Sequence, residues 1–183
     1  HNWSATCWDD LNNSASSSTL SFTVDSTAPA ITLNAPANLT NTTSTSATFN
    51  FTATDALSPT FNCSLYVNGA SNQSNSSVSN NTATTWTVSM ANAAHTWYVA
   101  CTDNAANTGA SGTNTLTVDS TAPSVTLNSP AANLNTTSTN ITFNFTAADV
   151  LRSLITCNLT IDGTVNRSSV VVINGTAYTT TAT

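Results

Sequence analysis

Val24-Asp25-Ser26-Thr27-Ala28-Pro29 returns, letter for letter, as Val118-Asp119-Ser120-Thr121-Ala122-Pro123, 94 residues further on. The same offset carries Cys7 onto Cys101, Cys63 onto Cys157, His1-Asn2-Trp3 onto His95-Thr96-Trp97, and Phe49-Asn50-Phe51-Thr52 onto Phe143-Asn144-Phe145-Thr146. Between residues 27–89 and 121–183, 32 of 63 positions are identical. The chain is therefore a tandem repeat with a unit of 94 residues. The phrase has its own mechanics: Asp and Ser close local turns, and Pro fixes its own φ and holds the preceding residue extended. It reads as a short, stiff hinge between copies.

Composition narrows the fold. Ser and Thr together make 63 of the 183 residues, Glu and Lys are absent, and the two bases are Arg152 and Arg167. Without Glu and Lys the exposed faces of helices lack two of their best formers, while Thr, Val and Ile favour strands. No helix is predicted. A net charge of −6 and only two bases argue against nucleic acid as a partner, since phosphate is neutralised by Lys and Arg. No run approaches 18 apolar residues, so no membrane insertion is expected in this segment. The chain carries no initiator Met or signal peptide and starts and stops inside repeats, so those signals are expected elsewhere in a longer precursor.

Alternation sets the strands. Residues 1–26 give two strands, with Trp3, Ala5 and Cys7 on one face and Leu20, Phe22 and Val24 on another. They read as the C-terminal strands (F, G) of a repeat. Residues 27–120 form a complete repeat. Its strands carry Ile31 and Leu33; Ala47, Phe49, Phe51 and Ala53; Phe61, Cys63, Leu65 and Val67; Trp86, Val88 and Met90; Trp97, Val99 and Cys101; and Leu116 and Val118. The polar stretch Ala70 to Asn81 reads as loop or weak edge strand. Residues 121–183 restart the repeat and supply its N-terminal part (A to E), where Thr180 and Ala182 replace Trp86 and Val88. About seven short strands per repeat predict an all-β fold of tandem immunoglobulin-like antiparallel β-sandwiches.

On that fold Cys63 lies on strand C and Cys101 on strand F, neighbours in one sheet, and both share the parity of inward apolar residues. A Cys63–Cys101 bridge is expected, closing a loop of about 39 residues. Four cysteines at repeat-equivalent places point to an oxidising compartment, hence the cell surface or beyond. The alternative is four buried free thiols; zinc would need a Cys-x-x-Cys spacing that is absent. Cys7 and Cys157 are expected to pair with an adjacent repeat or copy. Five residues separate the repeat position of Thr183 from that of His1, so the tail of one copy plus the head of the next makes one whole domain. Two versions follow: a window of a continuous polymer, with that gap spanning at most about 20 Å, or separate subunits completed by strand addition.

Val-Asp-Ser-Thr-Ala-Pro followed by Ile-Thr-Leu or Val-Thr-Leu resembles the start of bacterial and archaeal Ig-like repeats. Tyr98-Val99-Ala100-Cys101-Thr102-Asp103-Asn104-Ala105-Ala106-Asn107 is similar to their strand F and the Asp-Asn-Ala-Gly-Asn turn after it, with Ala106 where Gly is common. The resemblance covers the whole chain. It implies stalks of large cell-surface adhesins or extracellular filaments.

Three kinds of site follow from the residues. Asn-x-Ser/Thr sequons occur at Asn2, Asn12, Asn38, Asn41, Asn50, Asn62, Asn72, Asn75, Asn80, Asn135, Asn140, Asn144, Asn158, Asn166 and Asn174. They predict covalent N-glycans, against the alternative that Asn/Thr-rich strands create sequons by accident. Asn50, Asn62, Asn144 and Asn158 flank inward residues, so alternation points them outward. The incoming hinge lies beside the BC and FG loops of a sandwich, bringing Asp25 towards Asp55 and Asp103, and Asp119 towards Asp149. Such oxygen donors suit Ca²⁺ at the inter-domain hinges, the one candidate in a chain otherwise expected to have no cofactor; the alternative, and the commoner use of Asp at strand ends, is Asx turns. Catalysis has little support: His1 and His95 are repeat copies of each other, and paired-carboxylate chemistry would rest on scattered Asp. Trp3, Trp86 and Trp97 have inward parity and are expected in cores; Trp8 has the opposite parity and could stack on a sugar.

The sequence therefore predicts a non-enzymatic structural repeat of a secreted, glycosylated stalk or filament, whose partners are copies of itself or adjacent repeats. The alternative function is an adhesin module binding glycans or another cell surface.

Overall fold

The computed structural model describes residues 1–182. The span from Thr183 to a following His1, on which the two versions of copy-to-copy continuity differ, lies outside the described residues. Eighteen strands and no helix form among the described residues, as the missing helix formers require.

The head of the chain contains β1 (Asn2–Trp3), β2 (Thr6–Trp8), β3 (Ser14–Ser16) and β4 (Leu20–Ser21). It folds as a long hairpin in which β1 pairs with β4 and β2 with β3. The next nine strands are β5 (Ala30–Ala35), β6 (Thr40–Thr42), β7 (Ser46–Thr54), β8 (Thr60–Val67), β9 (Ala70–Ser79), β10 (Ala83–Ser89), β11 (Ala93–Thr102), β12 (Thr108–Ala110) and β13 (Asn114–Val118). One sheet has the order β10-β7-β5 and the other β6-β13-β11-β8-β9, with β12 also on β11. This is an immunoglobulin-like sandwich. The tail contributes β14 (Ser124–Ser129), β15 (Ile141–Ala148), β16 (Leu154–Ile161), β17 (Thr164–Ile173) and β18 (Ala177–Ala182), in a sheet β14-β15-β18 and a ribbon β16-β17.

Two compact units emerge. One comprises His1–Asn38, Thr48–Val88 and Thr96–Thr115; the other comprises Leu39–Ala47, Ser89–His95 and the chain from Leu116 onward. This grouping crosses the repeat boundaries at 26/27 and 120/121. In the first unit the alternation of β7, β8 and β11 buries Phe49, Phe51, Phe61, Leu65, Trp97 and Val99 at 1% exposure or less. Phe49 meets Trp97 edge-on at 4.9 Å between ring centroids, which joins the two sheets. In the second unit Phe145, Ala147, Ile155 and Val172 form a smaller core. There Tyr178 packs on Phe145 at 5.5 Å. In the complete repeat Trp86 packs on Phe51, the counterpart of Phe145, at 4.8 Å. Tyr178 lies two residues before Thr180 on the same face, so the degenerate strand keeps an aromatic partner by moving it one step along the pleat.

Two expectations need correction. The polar stretch from Ala70 is a full ten-residue strand, β9, antiparallel to β8. Backbone pairing decides it, with Val78 as its one buried anchor. Trp3 is 55% exposed rather than in a core; among the described residues β1 and β4 pair only with each other. Trp97 is buried, Trp86 is half-buried, and Trp8 is 66% exposed, as its parity requires.

The repeat extends to backbone conformation. Left-handed residues recur at the 94-residue offset: Asn12 with Ala106, Leu39 with Asn133, Asn68 with Asp162, and Gly69 with Gly163. Ala106 has φ 69°, where Asn12 has 66°. A Cβ makes that region costly by about 1–2 kcal/mol, while Gly costs roughly 0.5–1 kcal/mol of chain entropy. Ala106→Gly is expected to stabilise the protein by about 0.5–1 kcal/mol. A lower urea midpoint for the variant would refute this.

Candidate metal centre, disulfide and asparagine sites

The hinge phrase is fastened to the strand that follows it in space. Asn107 Nδ2 donates to the Asp25 carbonyl at 3.2 Å. Gly109, in β12, lies against Pro29: a Cβ built there would stand 2.0 Å from the Pro29 carbonyl oxygen. Only glycine permits this approach. The hinge is thus held where Asp25 can face the loop after β7 and the loop after β11.

One carboxylate oxygen from each of Asp25, Asp55 and Asp103 lies within 4.8 Å of the others. Asp55 Oδ1 accepts from the N–H groups of Leu57 and Ser58 at 2.8 and 3.0 Å, an Asx turn. Its Oδ2 is buried without a hydrogen-bond partner among the described residues. Asp103 is 7% exposed. Its Oδ1 accepts from the N–H groups of Ala105 and Asn107 at 2.9 and 2.8 Å, and its Oδ2 accepts from Asn107 Nδ2 at 2.9 Å. Burial pushes this carboxyl up, but the Asn107 side chain and the two backbone donors together hold it below its ordinary value. It is a carboxylate at neutral pH. The same loop recurs at Asp9, whose carboxyl is held low first by the Asn13 side chain.

The second junction is built differently: among the described residues Asp119 and Asp149, where calcium is also expected, do not join a group of three carboxylates. Arg152 Nε donates to Asp119 Oδ2 at 2.8 Å, and its Nη1 to Asn41 Oδ1 at 3.2 Å. Asp119 is 6% exposed, so the guanidinium supplies the positive charge that this buried carboxylate needs. Asp149 closes an Asx turn onto Leu151 and Arg152 N–H groups. Arg152 stands at the repeat position of Ser58, which is buried in the first junction, its N–H donating to Asp55 Oδ1 and its Oγ accepting from Asn104 N–H. The other base, Arg167, donates to the Thr181 carbonyl. Neither arginine of the chain is thus placed to balance the first junction.

Cys63 and Cys101 lie directly opposite one another on β8 and β11 and are bonded, S–S 2.07 Å. Cys7 is an exposed free thiol and Cys157 a half-buried one. His95 is buried, with Nε2 2.9 Å from the Ala91 carbonyl, which suits a scaffold role.

The fifteen sequon asparagines separate into two groups. Asn50 Nδ2 donates to Thr85 Oγ1 at 2.8 Å, and Asn144 Nδ2 to Thr179 Oγ1 at 2.6 Å. Asn80 Nδ2 donates to the Asp55 carbonyl at 2.6 Å while its Oδ1 accepts from Asp55 N–H at 3.1 Å. Asn174 clamps Asp149 in the same way and also donates to the Arg152 carbonyl at 2.8 Å. These four are half-buried and use the nitrogen a glycan would need. The other eleven are exposed. The clamps were illegible as such in the sequence; the signal available was an Asn 25 residues after an Asp, repeated at Asp55/Asn80 and Asp149/Asn174.

The strand order of the complete repeat is thus that of an immunoglobulin-like β-sandwich. No family model matches the sequence, and no curated protein does. Among solved structures it is similar to the fibronectin(III)-like modules of Clostridium thermocellum CbhA, at 16% identity and a TM-score of 0.44, over 84% of this chain and 80% of that chain. No helix among the described residues is long and apolar enough to cross a membrane.

Proposed function

We propose that this chain is a structural repeat of a secreted, N-glycosylated stalk or extracellular filament, built from domains of residues 27–120 and their partial copies at 1–26 and 121–183. The observation that carries this reading is repetition down to single hydrogen bonds: the Asp9 and Asp103 loops, the Asn80 and Asn174 clamps and the left-handed residues recur at one offset. Repetition at this level serves a rod; a binding module would interrupt it with one distinctive loop. The bridged Cys63–Cys101 pair fits an oxidising, exported setting. Intact mass and non-reducing peptide mapping of native material test the reading. Glycan mass is expected at exposed asparagines such as Asn38, Asn72 and Asn135, and none at Asn50, Asn80, Asn144 or Asn174. Unmodified asparagines with free Cys63 and Cys101 would sink the stalk.

The reading includes Ca²⁺ at Asp25, Asp55 and Asp103. Three hard carboxylates, one with a buried unpartnered oxygen, fit a cation that takes six to eight oxygens. At calcium about 100-fold above its dissociation constant, folding gains about 2.7 kcal/mol, or roughly 5–10 °C in Tm for a chain of this size. Asp25→Asn and Asp55→Asn are expected to abolish this gain while leaving the Tm in chelator unchanged or slightly higher, since like charges are removed. Calorimetry showing equal losses with calcium and with chelator would overturn the metal.

A further inference from the structure

We infer that Asn72 is a preorganised glycan site, at which the first sugar of an N-glycan packs its C–H face on the free face of Tyr66 in the stacked pair Tyr66–Tyr98. This deepens the glycosylated-stalk reading and rests on it. All three residues lie inside the complete repeat. Tyr66 on β8 and Tyr98 on β11 are directly paired. They alternate with the buried Leu65, Trp97 and Val99, so both point out of the sandwich, and both are half-buried. Their rings are parallel to within 2°, with centroids 4.7 Å apart. That separation matches the spacing of neighbouring strands, about 4.7–4.9 Å. The rings therefore stack along the strand-to-strand direction, and the face of Tyr66 away from Tyr98 is turned towards β9.

What stands on β9 at that place is small. Ser71 is opposite Tyr66 and exposed, with a side chain too short to cover a ring. The next pair is Leu65 with Gln73. Asn72 falls between the two pairs as the extra residue of a bulge, a device that re-aims a side chain. Gln73 turns the other way, its Nε2 donating to the Thr87 carbonyl on β10 at 3.1 Å. Asn72 is exposed and begins the sequon Asn72-Gln73-Ser74. Opposed and diagonal cross-strand side chains lie about 4.5–8 Å apart, within reach of a sugar bonded directly to Asn72 Nδ2. The face of an aromatic ring is negative and attracts the C–H groups that a sugar presents on one side. A sugar here is the third layer of the stack, after Tyr98 and Tyr66. The modification bonds the anomeric carbon of the sugar to Nδ2, which loses one proton, while the phosphate leaving group of an activated sugar donor departs with the bonding pair. The other repeat keeps the sequon without the ring. Asn166 lies in the same bulge, between the pairs Leu159 with Arg167 and Thr160 with Val165, and Thr160 stands at the position of Tyr66.

The test begins with peptide mapping of native material, in which Asn72 is expected to carry a glycan. NMR of the glycosylated chain then reads the packing. Protons on one face of the Asn72-linked sugar are expected to be shifted upfield by the ring current of Tyr66 and to show nuclear Overhauser contacts with its ring. The sugar on Asn166 should show neither. Urea unfolding of variants made in an N-glycosylating host gives the second arm. Asn72→Gln is expected to lower the folding constant roughly threefold to tenfold in the parent and in Tyr66→Phe, and less than about twofold in Tyr66→Thr, which carries the residue of the other repeat. Ordinary shifts at the Asn72 sugar, an equal loss in all three backgrounds, or glycans at other exposed sequons with Asn72 bare would each overturn this inference and leave the stalk. Glycan at none of the sequons would remove the stalk reading and this inference with it.

Discussion

Cys63→Ala combined with Cys101→Ala is expected to lower the stability of the sandwich by about 4 kcal/mol. The bridge spans 38 residues, and cross-linking a loop of that size removes about this much chain entropy from the unfolded state. Native domains have about 5–15 kcal/mol in total, so the variant is left near its limit. Both sulfurs lie in the core at 0% and 1% exposure, so the substitutions also leave small voids, which add to the loss. Urea unfolding of the oxidised parent against the variant measures the difference. A change below about 1 kcal/mol would mean that the unfolded chain is already constrained in some other way.

Trp97→Ala is expected to cost about 3–5 kcal/mol, the range for deleting a large buried aromatic residue. Trp97 is 1% exposed and carries the edge-on contact with Phe49 that joins the two sheets. Trp97→Phe is expected to cost much less, below about 1.5 kcal/mol. The reason is specific to this site: Trp97 Nε1 is buried with no hydrogen-bond partner among the described residues. Removing an unsatisfied donor recovers part of what the smaller ring loses. If the two variants lost equal stability in urea, volume alone would set the cost and the orphaned donor would carry no penalty.

Much of this was legible because strand parity is local. Phe49, Phe51 and Ala53 alternate in the sequence and are all buried; Cys63 and Cys101 share inward parity on strands that any such sandwich makes neighbours. What was illegible depends on partners distant in the chain. β9 has almost no apolar signal and exists because β8 offers it an edge. Trp3 has the right parity, but parity says nothing about whether an opposing sheet is there. Asn80 and Asn38 are both sequons by spelling; only the Asp55 loop makes one of them a clamp. Arg152 differs from Ser58 by one substitution between repeats, yet it changes what neutralises a junction, because charge acts through space rather than along the chain.

The pairing of β6 with β13 has a further consequence. These strands lie near the entry and exit of the complete repeat and run parallel, Thr40–Thr42 against Leu116–Val118, continued by Asp119 N–H to the Thr42 carbonyl at 2.8 Å. Tension applied through the two ends pulls them in opposite directions along their length. The hydrogen bonds between them are then loaded in shear together rather than unzipped one by one. Once the repeat yields, the residues between Cys63 and Cys101 stay tied. At about 3.5 Å per residue, the 38-residue separation withholds about 130 Å of slack. A tether made of such repeats would give way late and lengthen little.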